Sequence, residues 1–207
     1  MSQPLILLGN AKNPDYGVQG PTPIIERHYK EGGIWQGNTE LPVSQLLYAL
    51  AIANRSQVIV ETGVNNAAGA TPWLAMAATI NGGWYYGIDN RPQAIAKTQN
   101  ALHLLFDEVR ATVTLSDALD LLPMMFKSEE IDFLFVDDDH SSEHVEKEIA
   151  AFWPLMKQGG LMLFHDIVGV HEADIWPQLE KLGGIKLVNH AHRPDKPFGG
   201  LGLVVKR

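Results

Sequence analysis

Acidic and imidazole side chains follow two short apolar runs in the second half of the sequence. Residues 131–136 lead into three aspartates and His140, and residues 161–164 lead directly into His165 and Asp166. An imidazole titrates near neutral pH, so His140 or His165 could remove a proton from a hydroxyl group. The two clusters therefore predict acid–base chemistry, provided that the fold brings them together.

A strand–helix–strand unit would place both clusters at one edge of a sheet. The two apolar runs have the length of buried strands, and the segment between them has a helical pattern. Parallel neighbouring strands end at the same edge, where open α/β sheets bind their ligands. We therefore expect the acidic and imidazole groups to converge on one crevice.

Further strands and helices alternate along the rest of the chain. Apolar runs that end at Gly63 and Asp89 predict the first two strands, and residues 111–115 predict the third. Two final strands are predicted at residues 185–189 and 201–206. The count is seven strands with helices between the first six, which predicts an α/β fold with helices on both faces of the sheet.

The ends of the first two strands carry residues suited to nucleoside binding. Glu61 and Gly63 precede a loop of small residues and then Pro72, which opens an apolar helix, so a ligand could approach the backbone there. Asp89 ends the second strand, where an acid can accept hydrogen bonds from both ribose hydroxyls. Structural roles stay open, since Glu61 could bind nearby backbone amides and Asp89 could cap the helix that begins at Pro92.

Composition narrows the classes of protein and ligand. The chain has 207 residues, 45% of them hydrophobic, and no cysteine, which favours one globular domain and excludes disulfides and cysteine-based metal sites. The net charge of −8 without any run of Lys or Arg argues against general nucleic-acid binding. Neither a signal peptide nor an apolar segment of membrane length is apparent, so we predict a cytoplasmic protein without a membrane partner that acts on a small molecule and could form a homo-oligomer.

Six motifs in this order resemble the class I S-adenosylmethionine-dependent methyltransferases. The resemblance covers residues 43–207 and is nearest to small single-domain bacterial enzymes, similar in outline to catechol O-methyltransferase-like enzymes. It implies a Rossmann-like, mostly parallel sheet of seven strands with an antiparallel last strand. Residues 1–42 precede it and are predicted, from their frequent Asn, Pro and Gly, to form an N-terminal extension that is either a flexible arm or a lid over the site. The motifs are Glu61-x-Gly63, Gly87-Ile88-Asp89, Ser116-Asp117, Asp132 and Asp137 with Asp139-His140, Gly159-Gly160, and His165-Asp166.

The resemblance gives each of these residues a role toward S-adenosylmethionine. It implies that Glu61 and Gly63 flank the methionine part, that Asp89 binds the ribose, and that Asp117 lies near the adenine amino group. Relatives usually carry a second glycine soon after Gly63, whereas here the next is Gly69, which indicates a longer loop. The predicted cofactor-binding residues are Glu61, Gly63, Asp89, Ser116, Asp117 and Asp137.

Two mechanisms remain open for the predicted catalytic residues Asp137, His140 and His165. In catechol-type relatives, acids at the positions of Asp137 and Asp166 bind a divalent cation, Mg²⁺ or Mn²⁺, together with an asparagine after the second acid. Ile167 stands there in this chain, so that ligand is missing. His140 or His165 could replace it, and a histidine ligand would favour softer metals. The alternative is direct general-base catalysis by His140 or His165. Both mechanisms make oxygen the favoured methyl acceptor.

Other interpretations compete with this one. A nicotinamide-dependent oxidoreductase is disfavoured because no clean Gly-x-Gly-x-x-Gly is present, and a non-catalytic protein that binds S-adenosylmethionine or a nucleotide stays open. His144 lies four residues after His140, a spacing that can bind metal. We nevertheless predict that His144 is an exposed helix residue and that Asp138 is either solvated or a turn former.

Overall fold

Seven strands and six helices alternate along the described chain, which comprises residues 39–67, 69–190 and 198–207 of a computed structural model. The strands are β1 (Val58–Thr62), β2 (Trp84–Asp89), β3 (Ala111–Leu115), β4 (Ile131–Val136), β5 (Met156–Gly169), β6 (Ile185–Val188) and β7 (Phe198–Val205). The helices are α1 (Leu41–Ala53), α2 (Thr71–Ile80), α3 (Pro92–Leu105), α4 (Ala118–Met125), α5 (Ser142–Phe152) and α6 (Glu172–Lys181), with a short 3₁₀ turn at Trp153–Leu155.

The strands form one sheet in the order β3-β2-β1-β4-β5-β7-β6. Strands β1 to β5 are parallel to one another, and β7 runs antiparallel to both β5 and β6. The order turns back at β1, where β2 lies on one side and β4 on the other. The predicted seven-stranded, mostly parallel sheet with an antiparallel last strand is therefore confirmed.

Helices cover both faces of this sheet because the central strands are apolar on both sides. Ile59 and Phe133 belong to one core with the buried residues of α1, α2 and α3, whereas Val60 and Leu134 belong to a second core with those of α4, α5 and α6. Neighbouring residues of a strand point to opposite faces. The unbroken apolar runs seen in the sequence therefore fill two cores.

Strand β5 is longer than the apolar run that predicted it. The strand begins at Met156 and passes an irregularity in its pairing with β4, which includes Gly159 in a left-handed conformation. Beyond the apolar run, Val168 and Gly169 pair with Gly199 and Phe198 of β7. The added length comes from pairing with β4 at Met156 and with β7 at Val168 and Gly169, long-range interactions that the apolar pattern does not encode.

The predicted N-terminal extension, residues 1–42, is described only from Thr39 onward. Its residues 1–38 lie outside the described part of the chain, so their interpretation as a lid stays a prediction. Thr39 and Glu40 are buried, and α1 then begins at Leu41 with a proline in its first turn, where proline is tolerated. In the described ranges, no helix is both long and apolar enough to cross a membrane.

Candidate active site

A cavity of about 1060 Å³ lies at the carboxyl edge of the parallel strands. All nine residues predicted to act in cofactor binding, catalysis or metal binding line it: Glu61, Gly63, Asp89, Ser116, Asp117, Asp137, His140, His165 and Asp166. They come from the ends of β1 to β5, because parallel strands present their carboxyl ends on the same side. The cavity also has the size expected of a small-molecule site.

Gly63 is required where β1 and β4 approach each other. Its φ is 78°, and a β-carbon at this position would lie 2.1 Å from the carbonyl oxygen of Asp137. Only glycine combines that backbone conformation with so close a neighbour. Asn65 and Ala67, where relatives usually carry a second glycine, also adopt left-handed conformations. The loop therefore keeps a tight turn without that glycine.

Glu61 is buried at the end of β1 and held by two hydroxyl groups. The Tyr85 hydroxyl donates to Glu61 Oε2 at 2.6 Å, and the Thr71 hydroxyl donates to Oε1 at 3.1 Å. Burial, together with the negative charges of Asp137 and Asp89, raises the pKa of Glu61 to about 8, although the two hydroxyl groups oppose this shift. Glu61 therefore retains its proton at neutral pH in the absence of a ligand, and a cationic ligand group beside it would favour the carboxylate form.

Asp89 at the end of β2 already has four hydrogen-bond donors. Its Oδ1 accepts from the backbone N–H and Nε of Arg91, each at 2.9 Å, and its Oδ2 accepts from Arg91 Nη2 at 2.8 Å and from the Asn65 N–H at 3.0 Å. Burial raises the pKa of Asp89, but the bonds from Arg91 and Asn65 outweigh burial and hold it below its usual value. A ligand hydroxyl would have to replace one of these donors.

Ser116 and Asp117 follow β3 on the same side of the cavity. The Ser116 N–H donates to the Asp89 carbonyl at 3.1 Å, which joins the ends of β2 and β3. Asp117 Oδ1 accepts from the Leu119 N–H at 2.8 Å and caps the start of α4. Asp117 thus has a structural role as well as a position beside the cavity.

A chain of buried ionisable groups joins Asp137, at the end of β4, to His165 of β5 and Glu40 before α1. His165 Nδ1 lies 3.0 Å from Asp137 Oδ1, and its Nε2 lies 2.7 Å from Glu40 Oε2. Thr39 Oγ1 donates to Asp137 Oδ2 at 2.8 Å. Burial opposes a charge on His165, but Asp137, Glu40 and Asp166 together raise its pKa well above the usual value. The raised pKa favours the imidazolium form of His165, which would donate from both ring nitrogens.

That protonation state affects the catalytic role predicted for His165. An imidazolium with a carboxylate on each nitrogen has no free lone pair with which to take a proton. The positive charge of His165 in turn lowers the pKa of Asp137, although burial opposes the shift. The predicted catalytic role of His165 stays a prediction, and the geometry favours a positioning role for it.

Asp166 lies in an irregular part of β5. Pairing with β7 shifts its register between His165 and Val168, and Asp166 has a φ of 56°, an uncommon conformation for a non-glycine residue. Such an irregularity re-aims a side chain at a sheet edge. Asp166 Oδ1 is buried without a hydrogen-bond partner among the described residues, although His165 Nδ1 lies 3.3 Å away. Burial raises the pKa of Asp166 despite the opposing charge of His165.

His140 reaches into the cavity between the two aspartates. Its Nε2 lies 3.8 Å from Asp137 Oδ1 and 3.6 Å from Asp166 Oδ2, and it has no hydrogen-bond partner within the described ranges. The His140 ring lies against that of His171, with the two centroids 4.9 Å apart, and His171 makes an edge contact with Phe198. His140 is thus oriented by packing and keeps one nitrogen available.

Several residues around the cavity were not singled out from the sequence as part of a site. Thr39 and Glu40 bind the Asp137–His165 pair, Arg91 binds Asp89, and His171 and Phe198 form the wall beside His140. Arg91 alone had a local signal, because it follows the acid by two residues at the start of α3. The other contacts join residues that are distant in sequence.

Asp138, predicted to be solvated or a turn former, and His144, predicted to be exposed on a helix, are both partly exposed. Their side chains are 25% and 23% exposed, and His144 Nε2 lies 3.7 Å from Asp138 Oδ1. His144 is therefore less exposed than predicted, whereas the turn position predicted for Asp138 agrees with the bond that its carboxylate accepts from the Asp139 N–H. The helical repeat could not reveal this burial, because Glu148, one turn after His144, is itself fully buried and draws His144 inward.

The group Asp137, His140 and Asp166 can accommodate a divalent cation. One ligand atom from each residue lies within 4.8 Å of the others, and the unpartnered, buried Asp166 Oδ1 would gain a counterion. Two carboxylates and one imidazole suit Mn²⁺ or Zn²⁺ better than Mg²⁺. His140 would supply the ligand that Ile167 cannot.

Comparison with known structures agrees with this architecture. Cofactor-bound Rv0187 from MTB matches with a TM-score of 0.70 and 19% identity over 94% of each chain. The O-methyltransferase from Bacillus cereus, in complex with SAH, matches with a TM-score of 0.68 and 18% identity over 94% of this chain and 96% of that one. TomG from Streptomyces achromogenes, an O-methyltransferase in complex with SAM, matches with a TM-score of 0.63 and 18% identity over 91% of this chain and 90% of that one. At such identities these matches show the fold.

Comparison with protein families goes further than the fold. No curated protein matches the chain in sequence. The methyltransferase domain family matches residues 60–167, which is more than half of the chain and extends from β1 through the irregular part of β5. The chain therefore belongs to the methyltransferase domain family, which confirms the class I methyltransferase resemblance drawn from its sequence.

Proposed function

We propose that this protein transfers the methyl group of S-adenosylmethionine to a hydroxyl oxygen of a small molecule. The observation that carries the proposal is the position of His140. Its Nε2 is unpartnered among the described residues and lies between Asp137 and Asp166, in the same cavity as Glu61 and Asp89. A proton acceptor is thus available beside a site suited to a cationic nucleoside.

The cofactor would extend along the ends of β1, β2 and β3. Glu61 and Gly63 would face its methionine part, Asp89 its ribose, and Ser116 with Asp117 its adenine. Family membership supports this arrangement, as do similar folds that bind SAH or SAM. The predicted nicotinamide alternative has no such support.

The chemistry balances with the groups present. A neutral His140 takes the proton of the acceptor hydroxyl on Nε2 as the oxygen attacks the methyl carbon. The carbon–sulfur bond breaks, its electron pair stays on sulfur, and the products are a methyl ether, S-adenosylhomocysteine and an imidazolium that returns its proton to solvent. In-line positioning supplies much of the rate, and a general base typically adds about 10²- to 10⁴-fold.

His165 would contribute by positioning rather than by proton transfer. Its two charge-assisted bonds hold Asp137 on one side and Glu40 on the other. Asp137 in turn lies 3.8 Å from His140, so the carboxylate would stabilise the imidazolium that forms on His140. The predicted catalytic set Asp137, His140 and His165 thus divides into one base and two residues that orient it.

A metal-assisted version of the same reaction is the second candidate, and the unpartnered Asp166 Oδ1 favours it. Asp137, His140 and Asp166 would hold the ion, which would lower the pKa of a bound hydroxyl and make the proton easier to remove. His140 could not then serve as the base. Activity that survives excess EDTA would exclude this version and leave direct base catalysis.

The experiment that tests the proposal compares His140→Ala with wild type on a panel of hydroxylated small molecules. We measure S-adenosylhomocysteine formation and, separately, cofactor affinity by calorimetry. We expect kcat to fall about 10²- to 10⁴-fold while cofactor affinity changes little, because His140 acts on the transition state. His103→Ala, on the exposed side of α3, is the matched control.

Different failures of this experiment have different meanings. Wild-type turnover in His140→Ala, with an acceptor in hand, would refute the base assignment. Tight binding of S-adenosylmethionine without turnover on the whole panel would instead favour the non-catalytic binding protein. A small-molecule acceptor, a homo-oligomeric state, a cytoplasmic location and a lid at residues 1–42 stay predictions.

A further inference from the structure

A second group of carboxylate and imidazole side chains lies beside the active site. Asp138 belongs to the loop after β4, and His144 and Glu148 lie one turn apart on α5. His144 Nε2 is 3.7 Å from Asp138 Oδ1 and 3.7 Å from Glu148 Oε1, and one ligand atom from each residue lies within 4.8 Å of the others. None of the three residues belongs to the group formed by Asp137, His140 and Asp166.

Glu148 is the feature of this group that needs an explanation. Its side chain is fully buried, and neither carboxylate oxygen accepts a hydrogen bond from a donor in the part of the chain that the structure describes. Burial and the neighbouring Asp138 carboxylate, with which Glu148 can share a proton, raise the pKa of Glu148 to about 10, so without a cation a proton holds the two acids together. A buried carboxyl group without a donor is costly, and a buried charge without a counterion costs more. Lys147, the one lysine or arginine of α5, is paired with Glu143 instead.

Helix geometry directs Glu148 toward the other two residues. Positions four apart lie on the same helix face, so His144 and Glu148 both face the loop after β4. The Asp139 N–H donates to Asp138 Oδ1 at 2.8 Å, which fixes the orientation of that carboxylate. Three potential ligands thus point at one small volume from two separate segments.

We propose that Asp138, His144 and Glu148 form a binding site for a divalent transition-metal ion, with Mn²⁺ or Zn²⁺ as the fitting ions. Two ligand atoms at about 2.1 Å from one ion lie about 3.0–3.4 Å apart in regular octahedral or tetrahedral geometry. The observed 3.7 Å separations would close by only a few tenths of an ångström. Carboxylate oxygen together with imidazole nitrogen suits these borderline ions.

The ion would fasten the loop that carries the catalytic groups. Asp137 and His140 flank Asp138 in that loop, so a bond from Asp138 through the ion to α5 would restrict the movement of both. The role is structural, and the inference does not depend on methyl transfer. Binding to the folded state alone would also raise the melting temperature.

The test measures Mn²⁺ binding by the loss of the free-ion signal in electron paramagnetic resonance. Asp166→Asn first removes a ligand of the neighbouring group, and Asp166→Asn/Glu148→Gln then removes the buried ligand of the proposed site without changing its shape. We expect one bound Mn²⁺ in the single variant and at least ~10-fold weaker binding in the double variant. Asp166→Asn/Glu146→Gln, altered at an exposed glutamate of the same helix, should bind as the single variant does.

A second measurement protects the test against misfolding of the Glu148 variant. Mn²⁺ or Zn²⁺ should raise the melting temperature of Asp166→Asn but not that of Asp166→Asn/His144→Ala, which changes a partly exposed ligand. Absence of binding by both ions in Asp166→Asn would overturn the proposal. Equal binding in Asp166→Asn and Asp166→Asn/Glu148→Gln would also overturn it, since Glu148 would then be a buried, protonated acid and no ligand.

Discussion

Arg91 holds the carboxylate that is proposed to bind the cofactor ribose, so its removal should strengthen cofactor binding. Three of the four donors to Asp89 come from Arg91, two of them from the side chain. A ribose hydroxyl needs one of these acceptor positions, so the guanidinium must move when the cofactor binds. Arg91→Ala removes that competitor and leaves the two backbone donors of Arg91 and Asn65.

The size of the effect follows from the exposure of Arg91. Its side chain is 56% exposed, and ion pairs of this kind typically contribute about 0.2–1 kcal/mol. Binding of S-adenosylmethionine should therefore tighten by about 1.5- to 5-fold in Arg91→Ala. In contrast, Asp89→Ala removes a charged acceptor and should weaken binding by about 1.5–3 kcal/mol.

Calorimetry with S-adenosylhomocysteine and S-adenosylmethionine separates the local contact from the general effect of charge. Arg110→Ala removes the same charge from an exposed residue outside the residues that line the cavity. A gain in affinity that both Arg91→Ala and Arg110→Ala show comes from long-range electrostatics. Only the additional gain in Arg91→Ala reports on the contact with Asp89. Weaker binding in Arg91→Ala would refute the reasoning, because Arg91 would then contact the cofactor itself.

Two further predictions concern stability. Because the pKa of Glu61 is about 8 in the fold and near 4.3 in an unfolded chain, the folded state retains a proton that the unfolded state loses between those pH values. As the pH rises from 4.5 to 8, the free energy of unfolding of the wild type should therefore fall relative to that of Glu61→Gln, by at most about 5 kcal/mol. Urea titrations that give both proteins the same pH dependence of this free energy would contradict the prediction. Gly63→Ala should lower the free energy of unfolding by about 2–5 kcal/mol, because backbone strain and a steric clash combine. Gly159→Ala is the control: its φ is 77° but no atom lies near its β-carbon, so it should show the cost of the strain alone.

Much of the fold could be predicted because its signals are local. Strands β1, β2 and β4 are short apolar runs, and the helices between them carry proline at their starts or apolar residues at helical spacing. Parallel strands joined by helices must end at one edge, so the acids after those runs had to converge. The position of Asp89, Asp137 and Asp166 around one cavity follows from connectivity and needs no knowledge of packing.

The partners of these acids were decided only by tertiary structure. Glu40 reaches His165 across 125 positions of sequence, and this contact determines whether His165 carries a charge. A register shift against β7 turns Asp166 toward His140, yet such a shift depends on how two distant strands meet. Local patterns report which residue types are present, whereas protonation depends on neighbours that folding brings within 3 Å.

Asp138, His144 and Glu148 illustrate the same division at the neighbouring group. The four-residue spacing on α5 placed His144 and Glu148 on one face, but a helix with charged residues on several sides did not reveal which face is buried. Packing of α5 beneath the loop after β4 buried Glu148 completely and drew Asp138 to it. The sequence by itself determined the order of the elements and the edge where the chemistry gathers. Only the tertiary structure decided which ionisable groups lost water and which partners replaced it, because burial depends on contacts between segments that no local period encodes.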